Sequence, residues 1–236
     1  MKIRLKSALW GLILVVAIAL AAGTFIANNQ PFGYIAPAAI NSGSFEAGTT
    51  VAYTPWFENT DYRGDLIAYP LTVDGTPLIL APLWRAGIEL ADQGFLTGRH
   101  IVTTDGAGTA MSFLWNSLPT AYQNELGTVE MVNFIRGDRS NEGSSPTSRV
   151  REGVLGDIIH SNPVYVQKPS SGYADTGYLT YAANNAGREA RVFVGANDGM
   201  LHVFDALTGS EVYAYIPSML VSKLTDLSVS PYAHSY

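Results

Sequence analysis

Hydrophobic and polar positions alternate most clearly between Arg191 and Pro217, where three short apolar runs are divided by two compact turns. Asn197-Asp198-Gly199 and Leu207-Thr208-Gly209 each end in glycine, which takes positive φ without steric cost. Runs of this length joined by such turns predict an antiparallel meander. Along the runs Val192 and Val194 oppose Phe193, Leu201 and Val203 oppose His202 and Phe204, and Val212 and Ala214 oppose Tyr213 and Tyr215. Both faces carry apolar bulk, so the meander is expected to be covered on each side, as a propeller blade is between its neighbours.

Upstream the same patterning predicts Ser161–Val166 as a strand pairing with the meander. The expected unit is four-stranded: Ser161–Val166, Arg191–Val194, Met200–Asp205 and Glu211–Ile216, with an insertion at Gln167–Glu189 rich in Ser, Gly, Tyr and Asn. Residues 64–73 read as a strand closed by Asp74-Gly75, and residues 100–104 and 109–115 as a hairpin around Asp105–Gly108. These earlier elements are expected to supply parts of one or two further blades. Short helices are predicted over 84–91, over 120–126 behind Pro119, and over 129–136 with Gly137 as its C-terminal cap. The fold class is therefore all-β, a partial β-propeller of four-stranded antiparallel blades with short helical insertions.

At the N-terminus, Lys2, Arg4 and Lys6 precede an uncharged apolar run from Ala8 to Ala22, and Ala19-Leu20-Ala21 offers a cleavage site. This is the pattern of a secretory signal peptide; the run is shorter than the ~20 residues that usually span a bilayer, which favours cleavage over the rival reading of an uncleaved anchor. Residues 1–22 are thus assigned to a signal peptide, 23–48 to a linker or lead-in, and 49–236 to an incomplete β-propeller. Removing the leader moves the net charge from −6 to −9. An acidic chain without a basic cluster argues against nucleic acid and anionic membranes as partners. The chain has no cysteine, which removes disulfides, thiolate catalysis and cysteine metal sites.

Leu155-Gly-Asp-Ile-Ile-His-Ser-Asn-Pro-Val-Tyr-Val166, Val194-Gly-Ala-Asn-Asp-Gly-Met-Leu-His-Val-Phe-Asp205 and Ala214-Tyr-Ile-Pro-Ser218 closely resemble the PilY/PilC-type proteins associated with the tip of type IV pili. Asp61–Leu66, Phe113–Trp115 and Asn133–Asp138 are weaker landmarks of the same domain in the same order, so the resemblance covers roughly residues 46–236. It implies the start of a β-propeller and a non-catalytic role in pilus extension, surface adhesion and twitching motility. The implied partners are pilins and minor pilins, host or abiotic surfaces, and the remainder of a split propeller. The implied location is the periplasm, outer membrane, pilus tip or cell surface. Calcium belongs to the family, but its acidic loop has no counterpart in this chain, so no cofactor is assigned. A ring needs at least four blades, so a truncated or split version is expected, with an uncovered apolar face around Phe193, Phe204, Tyr213 and Tyr215.

Two Arg-Gly-Asp tripeptides, Arg63-Gly64-Asp65 and Arg136-Gly137-Asp138, are candidate adhesion motifs: a guanidinium and a carboxylate presented on a glycine turn. The structural alternative, preferred at both, has Gly64 opening a strand and Gly137 capping a helix. Neither Asn197-Asp198-Gly199 nor Glu58-Asn59-Thr60-Asp61 completes a calcium-loop pattern. His100, His160, His202 and His234 lack metal-ligand spacing, and His160 and His202 are expected to be hydrogen-bonded packing residues. No catalytic motif is present. The alternative function is a periplasmic quinoprotein dehydrogenase, because Val194–Glu211 also resembles the blade repeat of those pyrroloquinoline-quinone enzymes.

Overall fold

A computed structural model of the chain describes residues 39–41, 50–58, 63–144 and 148–230. The predicted leader, most of the lead-in and His234 lie outside the described residues. Two sheets organise the rest. The first runs in sequence order through β1 (Ala39–Ile40), β2 (Val51–Phe57), β3 (Gly64–Pro70) and β4 (Trp84–Arg85), every pair antiparallel. Both of its long strands are buried at nearly every position, and Val51, Tyr53, Leu66 and Ala68 pack into one hydrophobic core. Helix α1 (Ala86–Asp92) follows β4 directly and buries Ala86 and Leu90. The short strand Ala39–Ile40 falls inside the stretch expected to be a lead-in.

The second sheet has the order β6-β5-β10-β9-β8-β7, built from β5 (Ile101–Thr104), β6 (Ala110–Ser112), β7 (Val164–Val166), β8 (Arg191–Ala196), β9 (Met200–Asp205) and β10 (Glu211–Ile216). The last four form the expected antiparallel blade in sequence order. Gly199 and Gly209 take φ of 84° and 78° at its two turns, as their sequence signals require. A β-bulge between Glu211 and Tyr213 shifts the register of β10.

The β5–β6 hairpin departs from expectation. Instead of contributing to a separate blade, β5 pairs in parallel with β10, matching Ala214 with Ile101 and Ile216 with Thr103. The reason is the outer edge of β10, whose open row of backbone groups the hairpin takes up. Thr103 adds a side-chain bond to the Ile216 carbonyl, 2.8 Å.

Of the two faces expected to be covered, only one is covered by the described residues. Val192, Val194, Met200, His202, Phe204, Ala214 and Ile216 are buried on one face. Over β8 and β9 that face packs on the first sheet and α1, together with Leu155 and Ile158. Over β10 and β5 it packs on α2 (Thr120–Leu126), α3 (Val129–Arg136) and the 3-10 segment Ser218–Ser228. Phe204, expected on an uncovered face, is fully buried here because its register partner is inward-facing Val192. The opposite face carries Val102, Val164, Phe193, Leu201, Tyr213 and Tyr215, all half-buried or exposed. Val203 alone among its central positions is buried, flanked in register by Phe193 and Tyr213.

Helix α3 is capped as its sequence predicts: Thr128 accepts from the Met131 N–H at 3.1 Å, and Gly137 adopts the left-handed region at φ 117°. The Gln167–Glu189 insertion contains a helix that periodicity did not disclose, α4 (Thr176–Asn184). Asp175 caps it, and none of its residues is buried.

Candidate functional site

The two Arg-Gly-Asp tripeptides sit in different surroundings, and neither presents its ends together on an open turn. Arg63 is half-exposed, pairs with Glu58 at 2.7 Å and lies over the Trp56 ring at 5.5 Å. Gly64 donates to the Leu155 carbonyl, 3.0 Å, and its Cα is so close to Gly156 that a Cβ would meet the carbonyl oxygen at 1.8 Å. Asp65 is only 5% exposed; its carboxylate takes Arg85 Nε at 2.8 Å and the Gly87 N–H at 2.9 Å. Burial raises its pKa, against the pull of those two donors.

The second tripeptide is still less accessible at its basic end. Arg136 is 1% exposed, and its terminal nitrogens donate to the carbonyls of Phe113, Leu96 and Arg99 at 2.9–3.1 Å. Burial, with the Arg99 charge nearby, lowers its pKa to about 10. A Cβ at Gly137 would meet Val154 Cγ1 at 2.9 Å, and the Asp138 side chain accepts from the Ser140 N–H at 2.9 Å. In both tripeptides the glycine and at least one charged end serve internal packing.

Between the two apolar cores, on the covered face, runs a buried ionic seam that the sequence did not announce. Arg99 grips Glu211 with Nε and Nη2 at 2.7 and 2.9 Å and donates from Nη1 to the Arg136 carbonyl at 2.8 Å. Glu211 lies 2.7 Å from His202 Nδ1, and Asp198 lies 3.0 Å from His202 Nε2. With a carboxylate against each ring nitrogen, the imidazole donates from both, which requires the doubly protonated ring. Burial alone would push the His202 pKa down; Asp198 and Glu211 outweigh it and carry it to about 9. Glu211 is likewise opposed by burial, yet His202 and Arg99 hold it at about 2. Asp198 also accepts from the N–H groups of Gly156, 3.0 Å, and Met200, 3.1 Å.

This explains the Asn197–Gly199 turn. It is the expected hairpin, but its aspartate points inward and joins the loop at Gly156 to the blade; Asn197 adds Nδ2 to Asp157 Oδ2, 2.7 Å. His202 is the hydrogen-bonded packing residue the sequence suggested, whereas His160 and His100 are exposed. Among the described residues no group of three or more His, Asp or Glu side chains could hold a metal ion. Glu58 is described, but Asn59 to Asp61 of the second calcium-loop candidate are outside the described residues. The arrangement has the chemistry of a structural clamp: its charges are mutually paired and turned away from solvent.

What remains open to a ligand is surface. The uncovered face of the second sheet presents Val164, Leu201 and Tyr213, 54%, 38% and 38% exposed, in neighbouring register. Beside it a hollow of about 420 Å³ is bordered by Ile159, Ser161, Met200, Leu201, Pro217 and Leu220.

Comparison with known proteins bears on this same region. Residues 155–233 match the family model described as the PilY1 beta-propeller domain. The chain is 37% identical over 205 residues to a type IV pilus biogenesis factor PilY1 homolog of Xylella fastidiosa, covering 83% of this chain and 16% of that protein. It is 36% identical over 219 residues to the type IV pilus biogenesis factor PilY1 of Pseudomonas aeruginosa strain PAK, covering 80% and 18%. A second Xylella fastidiosa protein of the same description is 28% identical over 247 residues. The chain thus spans about a sixth of the length of the curated relatives it matches. No solved structure matches it.

Proposed function

We propose, from the premise that this chain belongs through residues 155–233 to the PilY1 β-propeller family, that it serves type IV pilus biogenesis through protein surfaces and without catalysis. The observation that carries the reading is the one-sided blade: a specific four-stranded meander, sealed on one face and apolar on the other. Propeller blades are stacked, and an open apolar face is the part that a further blade or pilus component would cover. Surface adhesion and twitching motility belong to the same proposal, with the protein exported and displayed on the cell envelope. The Arg-Gly-Asp tripeptides are not assigned to adhesion, since Asp65 and Arg136 are held inside.

Deletion of the gene in its host, followed by counts of surface pili and twitching-zone diameter, tests this directly. Loss of both, restored by the wild-type gene and not by a variant carrying Tyr213→Asp and Leu201→Asp, is expected. Normal piliation after deletion would overturn it, as would alcohol oxidation by the purified protein with calcium and pyrroloquinoline quinone.

A further inference from the structure

Beside the clamp stands a buried cation that the clamp leaves unanswered. Arg136 is 1% exposed, and its terminal nitrogens meet only carbonyls, those of Leu96, Arg99 and Phe113. Its Nε is buried without an acceptor. Carbonyls satisfy N–H groups but leave the net charge in place, and a buried charge is ordinarily met by an opposite one. Arg99 does not help, since each of the two guanidinium groups donates to the other residue's carbonyl, at 2.8 and 2.9 Å. Glu211 is already gripped by two nitrogens of Arg99 and shared with His202. Among the described residues Arg136 forms no ion pair with a carboxylate. Three cations, Arg99, Arg136 and His202, therefore face two carboxylates, Glu211 and Asp198. Burial and the nearby Arg99 charge lower the Arg136 pKa to about 10.

This cation borders a hollow of about 160 Å³, on whose wall Arg99 and Arg136 both stand. Two of the three carbonyls that hold the Arg136 head belong to Leu96 and Arg99, which line the hollow, and the third lies between Ser112 and Leu114, which also do. Leu96, Ile101 and Leu114 give it apolar walls. Thr97 and Ser112 are exposed, so they bring hydroxyls to its rim and open it to solvent. At roughly 30 Å³ for each water-sized group, the space takes about five non-hydrogen atoms. One excess cation calls for a single negative charge, and the walls call for a hydrocarbon stem. A phosphoryl group, at about −1.5 to −2, matches neither.

We propose that this hollow is a binding site for a carboxylate on a short aliphatic stem, seated beside Arg136 with the stem among Leu96, Ile101 and Leu114. A free short-chain acid and the C-terminal end of a peptide offer the same chemistry. The site stands on the buried charge and the hollow alone and does not depend on the pilus reading. It gives the second Arg-Gly-Asp tripeptide a receiving role: its arginine attracts a carboxylate from inside the fold, where the low local dielectric strengthens the attraction.

The full chain is melted in rising concentrations of sodium propionate, with ionic strength held constant by sodium chloride. A ligand that binds only the folded form raises the melting temperature. A saturable rise is expected with propionate and none with propionamide, its neutral isostere. Ser112→Trp, at the exposed rim, fills the hollow and should abolish the rise while keeping the fold. Arg136→Met should weaken the apparent Kd about tenfold or more, as loss of a charged partner does; where that variant does not fold, Ser112→Trp decides. A tetrapeptide ending in a free alanine carboxylate, run beside its C-terminal amide, separates the two sources. Tighter binding of the peptide acid than of propionate assigns the site to a chain end, and equal or weaker binding assigns it to a free acid. No rise with propionate, an equal rise with propionamide, or an undiminished rise in Ser112→Trp would overturn the proposal and leave the hollow to water.

Discussion

Phe204 and Phe193 are cross-strand neighbours one register step apart in the same sheet, yet they belong to different worlds. Phe204 points to the covered face, stacks beside His202 with ring centroids 5.6 Å apart and is fully buried. Phe193 points to the other face, among Val164, Leu201 and Tyr213, and stays half-exposed. Identical chemistry has been assigned to folding on one side and left available for association on the other. The covered face also holds the Arg99–Glu211–His202–Asp198 seam, so its stability depends on charge as well as on packing. The open face has at its centre only aliphatic and aromatic groups, with the Arg191–Asp205 pair, 2.6 Å, at one end.

The largest effect expected from this contrast comes from breaking the seam. Glu211→Ala leaves Arg99 and His202 buried without their shared carboxylate, and loss of one partner of a buried pair costs about 3–5 kcal/mol; a denaturant melt of the full chain reads it. Next, Phe204→Ala should cost about 3–4 kcal/mol, as large-to-small core changes do, and Phe193→Ala less than about 1 kcal/mol by the same melt. Equal losses at the two phenylalanines would erase the distinction between the faces.

The seam also predicts the pH profile. His202 has a folded pKa of about 9 against 6.5 unfolded, so its contribution is complete below pH 6.5 and is lost as pH rises through 9. Glu211 has a folded pKa of about 2 against 4.5, so its contribution is complete above pH 4.5 and is lost as pH falls through 2. Stability from the seam should therefore peak between pH 4.5 and 6.5. A His202→Gln variant should lose the alkaline limb, and an unchanged limb would place the titrating group elsewhere. Smallest of all, Tyr213→Ser should leave the melt within about 0.5 kcal/mol, because its side chain is already in contact with water.

Much of this blade is written locally. The turns at Gly199 and Gly209 and the cap at Gly137 need positive φ, which is a property of single residues, and the meander between them follows from alternation. Alternation cannot say which face will be covered, since both faces of 191–217 are apolar; that depends on the first sheet and on α2 and α3, far away in sequence. The parallel pairing of β5 with β10 is hidden for the same reason, as more than a hundred residues separate the partners. The seam left a trace that periodicity could have found. His202 shares a strand face with Met200 and Phe204, and Arg136 lies four residues after Val132 on the buried side of α3, so polar groups stood at inward positions. Their partners, Arg99 and Glu211, become neighbours only once the sheet is assembled.

The proposal most in need of a test is that the face bearing Tyr213 is covered, by a further blade or a pilus component, where the protein works. Thiol-modification rates at Tyr213→Cys test it, compared between the isolated protein and piliated host cells, with exposed Val150→Cys as the reference site. The account predicts fast modification of both sites in isolation and protection of the Tyr213→Cys site alone on the cell. Equal rates for that site in the two settings would contradict it.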